Sequence, residues 1–277
     1  MSSTVEKQIC IRRVWAYNLE AEFKLIRTHA KGFPFAAIDT EFPGVVFRPL
    51  CPHRRQCTQE RYAFIRANVD ALHIIQLGIS LSDAEGNLPD LGIRGAAFVW
   101  EFNFRDFDIF RDHCAAESIA LLRNNGIDFN KNRAAGVDSR RFAQLLLSSG
   151  LIWNESSVTS WVGFHSVYDF GYLIKIITRR RLPETMTGFL GLVGEIFGDR
   201  VFDVKHMIRY CDGVYGGLDR VAETLDVKRT AGRCHQAGSD SLLTLQIFLK
   251  LKTGVFAKKG IHNYAGVLHS LELLQLN

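Results

Sequence analysis

The sequence has no apolar run of the roughly 18–20 residues needed to cross a bilayer, and its first residues, Met-Ser-Ser-Thr-Val-Glu-Lys, lack the basic-then-apolar order of a secretory signal. The expectation is a soluble, intracellular protein without membrane association. No Cys-x2-Cys spacing occurs, and the six cysteines (Cys10, Cys51, Cys57, Cys114, Cys211, Cys234) are scattered, which argues for reduced thiols and against a zinc ribbon or a disulfide framework. Cys51, His53 and Cys57 place three soft ligands within one short segment, but no fourth accompanies them and the spacing fits no standard structural site. No Pro/Ser-rich linker, low-complexity tract or internal repeat divides the chain. With 277 residues, 47% of them apolar, it can bury a substantial core as one domain. The net charge of +5 is a mild excess that suits a phosphate-bearing partner. The local basic clusters, Arg54-Arg55, Arg61, Arg66, Arg140-Arg141, Arg179-Arg180-Arg181 and Lys258-Lys259, read first as solvated faces.

Against this background four carboxylates and a histidine stand in a fixed order: Asp39 and Glu41 in Phe35-Ala-Ala-Ile-Asp-Thr-Glu-Phe-Pro-Gly44, Asp169 in Phe164-His-Ser-Val-Tyr-Asp-Phe-Gly171, and His235 with Asp240 in His-Gln-Ala-Gly-Ser-Asp. A two-metal nuclease site must gather anionic oxygens from distant segments around two hard cations roughly 3.5–4 Å apart. Residues 35–42 read as a short apolar strand bounded by Lys31-Gly32 and Pro43-Gly44. On a strand, residues i and i+2 share a face, so Asp39 and Glu41 point together, with Thr40 opposite. They could share one cation or bridge two. Taken alone, an Asp-x-Glu at a strand end is an ordinary solvated pair. Asp169 falls in the first turn of a helix predicted from Phe170, Leu173, Ile174 and Ile177, where the helix dipole also favours its charge. Asp240 opens a second helix, over 239–251, whose Leu242, Leu243, Ile247 and Phe248 face the core. Either aspartate could be a mere helix-start residue. His235, five positions earlier across a Gly-containing turn, supplies an imidazole of ordinary pKa about 6.5 that can take a proton from water. The five together point to a metal-dependent phosphodiesterase.

These residues resemble the DEDD exonucleases of RNase H-like fold, in the branch with a histidine before the last aspartate. Segments 11–19, 33–49, 68–78, 164–172, 216–218 and 235–244 resemble the Pop/Caf family, the poly(A)-shortening ribonucleases of the CCR-NOT complex, and the likeness runs from about Ile11 to Leu268. The resemblance implies an α/β fold with a mixed central β-sheet flanked by helices. It implies 3′-5′ removal of AMP from poly(A), and two divalent cations, Mg2+ or Mn2+, held by Asp39, Glu41, Asp169 and Asp240, with His235 as the base. By the same resemblance Phe42 and Leu218 lie at the substrate pocket, and the partners are poly(A) RNA, a NOT scaffold and a second deadenylase, in cytoplasm and nucleus. Two segments depart from the family pattern: residues 50–60, and Cys211-Asp-Gly-Val-Tyr-Gly216, which replaces a loop that commonly contains lysine. A general 3′-5′ DNA or RNA exonuclease, a non-catalytic docking subunit and an RNase H-type endonuclease are the alternatives; the intact tetrad argues against the second and the His-x4-Asp spacing against the third.

The coarse pattern predicts an amphipathic helix over Cys10 to Ala30, strands near 35–41 and 44–48, and a helix near 59–70. A hairpin with arms 73–82 and 96–103 follows, turning through Asp83-Ala-Glu-Gly-Asn87. Helices are expected near 113–124, 138–148, 169–178, 184–197, 217–225, 239–251 and 261–270, and strands near 160–165 and 201–203. Asp203 is expected to be structural, and Trp15, Trp100, Trp153 and Trp161 to pack in the core rather than stack on bases.

Overall fold

The computed structural model describes residues 7–49, 57–153 and 159–272. Its strands are β1 (Gln8–Val14), β2 (Phe35–Glu41), β3 (Gln76–Ser82), β4 (Ala96–Asn103), β5 (Ser160–Gly163) and β6 (Val201–Asp203). They form one mixed sheet in the order β1-β4-β3-β2-β5-β6. β2, β3 and β4 are antiparallel neighbours, while β1 runs parallel to β4 and β5 and β6 continue parallel to β2.

The alternation of β2 sorts the helices into two layers. Ala36 and Ile38 face the larger core, shared with Leu77, Ile79, Trp100 and Phe102 of the sheet. Helices α1 (Leu19–His29), α2 (Thr58–Ala71), α5 (Ser139–Leu147), α6 (Val167–Thr178) and α7 (Met186–Phe197) cover that face. Phe35 and Ala37 face the other way, onto Leu243, Ile247, Phe248 and Leu251 of α10 (Ala237–Thr253), with α8 (Val204–Met207) and α9 (Leu218–Thr224) alongside. A third, smaller cluster joins Phe107, Ile119, Leu122 and Phe129 of α3 (Ala116–Asn124), α4 (Phe129–Ala135) and the segments around them. Among the described residues no helix is long and apolar enough to cross a membrane.

Most expected elements are present, and the differences have physical causes. Cys10 to Val14 is strand, not helix: it pairs with Cα partners Phe98 to Phe102 of β4, and the helix begins only at Leu19, after a turn in which Asn18 Oδ1 accepts from the Trp15 N–H at 2.8 Å. The edge of β4 thus overrides a helix-like spacing of apolar residues. Residues 44–48 form no strand, because Asn68 takes the place of a neighbour: its Oδ1 accepts from the N–H groups of Val46 (2.7 Å) and Phe47 (2.9 Å), and its Nδ2 donates to Phe47 O. Over 261–270 only a 3-10 turn forms at His262–Tyr264; Val267 then bridges Phe202, and the Gly266 N–H donates to Val201 O at 2.8 Å, tying the segment to the sheet edge. Helix α4, capped by Asp128 on the Lys131 N–H, is additional to the expectation. Trp15, Trp100 and Trp161 are core residues, whereas Trp153 is 49% exposed in a turn at φ 46°. Cys51 and His53 of the three-ligand segment lie outside the described residues.

Candidate active site

Asp39 and Glu41 end β2 on the α10 side of the sheet, registered against Gly78 and Gln76 of β3. Gly78 is what lets α10 approach. A Cβ there would stand 1.9 Å from the carbonyl oxygen of Ala237, the first residue of α10. One position on, a Cβ at Gly238 would meet the side chain of Glu101 at 2.9 Å. With both positions glycine, the first turn of α10 rests on the sheet and delivers Asp240, 7% exposed, to the carboxylates of β2. His235 precedes the helix in a left-handed conformation (φ 56°), and its N–H donates to Asp240 Oδ2 at 2.9 Å. Ligand atoms of Glu41, His235 and Asp240 all lie within 4.8 Å of one another.

Asp169 arrives from the opposite layer. It sits in the first turn of α6, 6% exposed, and its Oδ1 accepts from Thr40 Oγ1 at 2.5 Å. Thr40, turned away from Asp39 and Glu41 by strand alternation, is therefore the contact through which β2 holds Asp169. Asp203, fully buried, fixes the start of the same helix by accepting from the N–H groups of His165 (2.8 Å) and Ser166 (3.0 Å), as well as from those of Lys205 and His269. The structural role expected of it is what it performs.

Electrostatically the cluster is over-filled. Burial, followed by the charges of Asp240, Asp169 and Glu41, pushes Asp39 well above the ordinary carboxylate range. Glu41 is raised by burial, Asp240, Asp169 and Glu101 in that order. Burial raises Asp169 to about 7 against the opposing hydrogen bonds from Thr40, and burial raises Asp240 against the pull of Arg229. Four mutually repelling carboxylates cannot all ionise unless cations join them. An all-oxygen carboxylate set with one accessible imidazole fits hard divalent cations such as Mg2+ or Mn2+.

Arg229 is the member of the site that the sequence did not reveal. Nη1 donates to Asp240 Oδ1 (2.5 Å) and Ser239 Oγ (2.6 Å), and Nη2 to Asp219 Oδ1 (2.6 Å). It lies in the irregular stretch between α9 and α10, where no periodicity marks it. Of the two residues expected at a substrate pocket, Phe42 stacks on Tyr168 with ring centroids 5.0 Å apart and an interplanar angle of 23°, directly beside Glu41. Leu218 opens α9, and its link to the carboxylates runs through its neighbour Asp219 and Arg229. In the variant loop, Lys205 Nζ donates to Gly216 O and lies 5.6 Å from the Phe164 ring centroid, so a lysine reaches this loop from β6's end.

The chain is similar to several known proteins. The family described as CAF1 family ribonuclease matches residues 14–145. A probable CCR4-associated factor 1 homolog of Arabidopsis thaliana (homolog 7) is 49% identical over 266 residues, which cover 96% of this chain and 94% of the relative. The poly(A) ribonuclease pop2 of Schizosaccharomyces pombe is 41% identical over 89% of this chain and 70% of its own length. Among solved structures, S. pombe Pop2p in its Mg2+- and Mn2+-bound form superposes with a TM-score of 0.85 at 39% identity, covering 94% of this chain and 99% of that one. Yeast CAF1 co-crystallized with the NOT1 MIF4G domain gives 0.75 at 33% identity, covering 94% and 96%. E. coli exonuclease I in complex with a dT13 oligonucleotide gives 0.51 at 15% identity over 79% of this chain and 41% of that one, a likeness of fold alone. The mixed sheet and these neighbours bear out the RNase H-like exonuclease fold.

Proposed function

Because the chain belongs to the CAF1 family of ribonucleases, we propose that it is a 3′-5′ exoribonuclease that shortens the poly(A) tails of messenger RNA, releasing AMP. The observation that carries this reading is the convergence of Asp39, Glu41, Asp169 and Asp240, from two layers of the fold, at one end of β2 with His235 beside them.

In this reading the four carboxylates would hold two divalent cations, Mg2+ or Mn2+; S. pombe Pop2p, a relative with a TM-score of 0.85, has been solved in a form with both bound. When bound, the cations supply Lewis acidity toward water and offset charge on the reacting phosphodiester. The residues of the chain do the rest. Asp39, which feels the charges of both Asp240 and Asp169, would share in holding the cations. His235 accepts the proton of the attacking water, whose oxygen bonds to the last phosphorus in line with the departing 3′ oxygen. That P–O bond breaks, the freed 3′ oxygen of the shortened strand takes a proton from solvent to become a hydroxyl, and the terminal residue leaves as a nucleoside 5′-monophosphate. The carbonyl-to-amide ladder of β2 and the Thr40 hydrogen bond keep the ligands from reorganising during the step. Phe42, stacked on Tyr168, offers an aromatic face for the terminal nucleotide.

Chemistry at phosphorus does not read the base, so the preference for adenosine rests on the kinship with poly(A) ribonuclease pop2. The yeast relative's complex with the NOT1 MIF4G domain supports docking of this chain on a NOT scaffold, and a second deadenylase in the same assembly is part of the proposal. The test follows a 5′-labelled RNA ending in an adenosine tract, beside a twin with a mixed-base 3′ end, under Mg2+. A ladder stopping where the tract begins, made by the wild type and not by Asp39→Ala, is the expected result. His235→Ala should slow the step by roughly 10²- to 10⁴-fold. Equal degradation of both RNAs would indicate a general exonuclease, and full activity of Asp39→Ala would overturn the site.

A further inference from the structure

A basic groove opens behind the candidate active site. It is a cavity of about 380 Å³ between the C-terminal half of α6, the start of α5 and the turn that leads into β3. Tyr172, Lys175, Ile176 and Arg179 line it from α6, at i, i+3, i+4 and i+7, so they form one helix face. Asp169 lies three residues before Tyr172 on that same face. The groove therefore begins where the carboxylate cluster ends, and the eleven residues from Asp169 to Arg179 span about 15 Å.

Two contacts tie groove and cluster together. Along β2 and α6, Thr40 meets Asp169 and, two residues further on, the Phe42 ring meets Tyr172 with centroids 5.2 Å apart. On the other wall, the Ile75 N–H donates to Glu41 O at 2.8 Å, and residues 72–74 line the groove immediately before it.

Among the described residues the arginines of the groove are left unmatched. Arg141 is paired with Glu20, and Arg105 with Asp138. By contrast, the exposed side chains of Arg140, Arg179, Arg180 and Arg181, which all line the groove, make no ion pair among the described residues. Lys175 adds charge while its ammonium donates to the carbonyls of Val69, Asp70 and Leu72. Among the described lining residues the one carboxylate, Asp106, is occupied by the N–H and hydroxyl of Ser139, and the lining His73 is paired with Asp112; the charges of Asp70, Asp106 and Asp112 act on Lys175 rather than on the arginines' exposed ends. Tyr172, 1% exposed, closes the floor of the cavity and packs its ring on Phe42.

We propose that this groove carries the phosphates of the RNA strand upstream of the reacting 3′ end, held by the guanidinium groups of Arg140, Arg179, Arg180 and Arg181. Arginine is suited to the role because its guanidinium forks onto phosphate oxygens and stays charged. The proposal rests on the reading of the chain as a 3′-5′ ribonuclease, which supplies a strand that must leave the site along some path. It names the groove along α6 as that path.

Binding of 5′-fluorescein-labelled oligoadenylates, one of about twenty residues and one of three, measured by anisotropy in EDTA, tests it. The triple substitution R140Q/R180Q/R181Q should weaken the long oligomer by at least about tenfold and cut the slope of log affinity against log salt by about 2, at ~0.7 per lost phosphate contact on single strands. The trimer, too short to fill both site and groove, should lose far less. Undiminished binding of the long oligomer by the triple variant, or an equal loss for both lengths, would overturn the groove. Failure of the functional reading would look different: wild type would then hydrolyse neither RNA under Mg2+, whatever the groove variant binds.

Discussion

Arg229 and Asp240 form an ion pair with Nη1 2.5 Å from Oδ1, in which Arg229 stands where it can neutralise one member of the carboxylate cluster. Both side chains are largely withdrawn from solvent, at 17% and 10% exposure. The same guanidinium reaches Asp219 at the start of α9, so it links two helices at the site.

Removing one partner from such a pair leaves the other charge stranded, at a cost of about 3–5 kcal/mol when burial is complete and less here. Arg229→Met is therefore expected to destabilise the metal-free protein by about 2–3 kcal/mol. Divalent cations bound to Asp240 would replace the lost charge, so the loss should shrink in saturating Mg2+. Thermal melts of wild type and variant, in EDTA and in Mg2+, check this; an equal drop in both conditions would mean that Arg229 supports the fold rather than the charge of Asp240.

The raised carboxylates give the metal-free protein a pH dependence of definite sign. A carboxyl whose folded pKa lies above its unfolded value, about 3.9–4.3, stabilises the fold below that value and withdraws the stabilisation as pH rises through the folded pKa. For Asp169 the window ends at about 7, and Asp39, Glu41 and Asp240 shift the same way. Glu272, held far below its ordinary value against its burial by hydrogen bonds from His206 and His269, acts in the opposite sense, but only as pH falls below about 4.3. Between pH 5.5 and 8 the melting temperature in EDTA should thus fall, by roughly 5–10 °C for a few kcal/mol. Mg2+ should raise it more at pH 8 than at pH 5.5, and scanning calorimetry at the two pH values reads both effects.

What could be foreseen from the sequence divides along physical lines. Asp39, Glu41, Asp169 and Asp240 each lie at the end of a segment whose own periodicity declares strand or helix, so their faces could be read locally. Arg229 could not, because it acts from an irregular stretch and finds Asp240 only once α10 has docked at Gly78. The strand Gln8–Val14 was hidden for a related reason. Its apolar residues fit a helical stripe with Trp15 and Leu19, and the choice of strand is made by β4, some distance away in the chain. Asn68 likewise overrides the strand pattern of residues 44–48 with side-chain hydrogen bonds that no pattern of hydropathy encodes.

Gly78 should tolerate no larger residue. In Gly78→Ala the new methyl would stand 1.9 Å from Ala237 O, backbone that can yield only by lifting the first turn of α10 off the sheet. Overpacking of this kind costs about 1–3 kcal/mol, and here the shift also carries Asp240 away from Asp39. The expected variant is folded, modestly less stable, and at least about 100-fold less active, since small misplacements of reacting groups are costly. Circular dichroism with a single-turnover assay separates the two losses; a variant with full activity would show that α10 can move without disturbing the cluster.

Thr40 offers the most discriminating test, because it touches none of the β2 carboxylates and faces away from them. Its Oγ1 donates to Asp169 Oδ1 at 2.5 Å, and that bond favours the ionised carboxylate against the burial that raises it. Thr40→Val keeps the shape and removes the donor. Asp169 should then stay protonated to higher pH and hold a cation less well, so the Mg2+ concentration for half-maximal activity should rise about 10- to 100-fold, the range for lost hydrogen bonds behind metal ligands. The deficit should narrow as pH is raised, since deprotonation is what the variant lacks, and Thr40→Ser should recover most of it by restoring a hydroxyl. A Thr40→Val enzyme with normal Mg2+ dependence, or one whose deficit ignores pH, would mean that Asp169 does not depend on β2 for its charge.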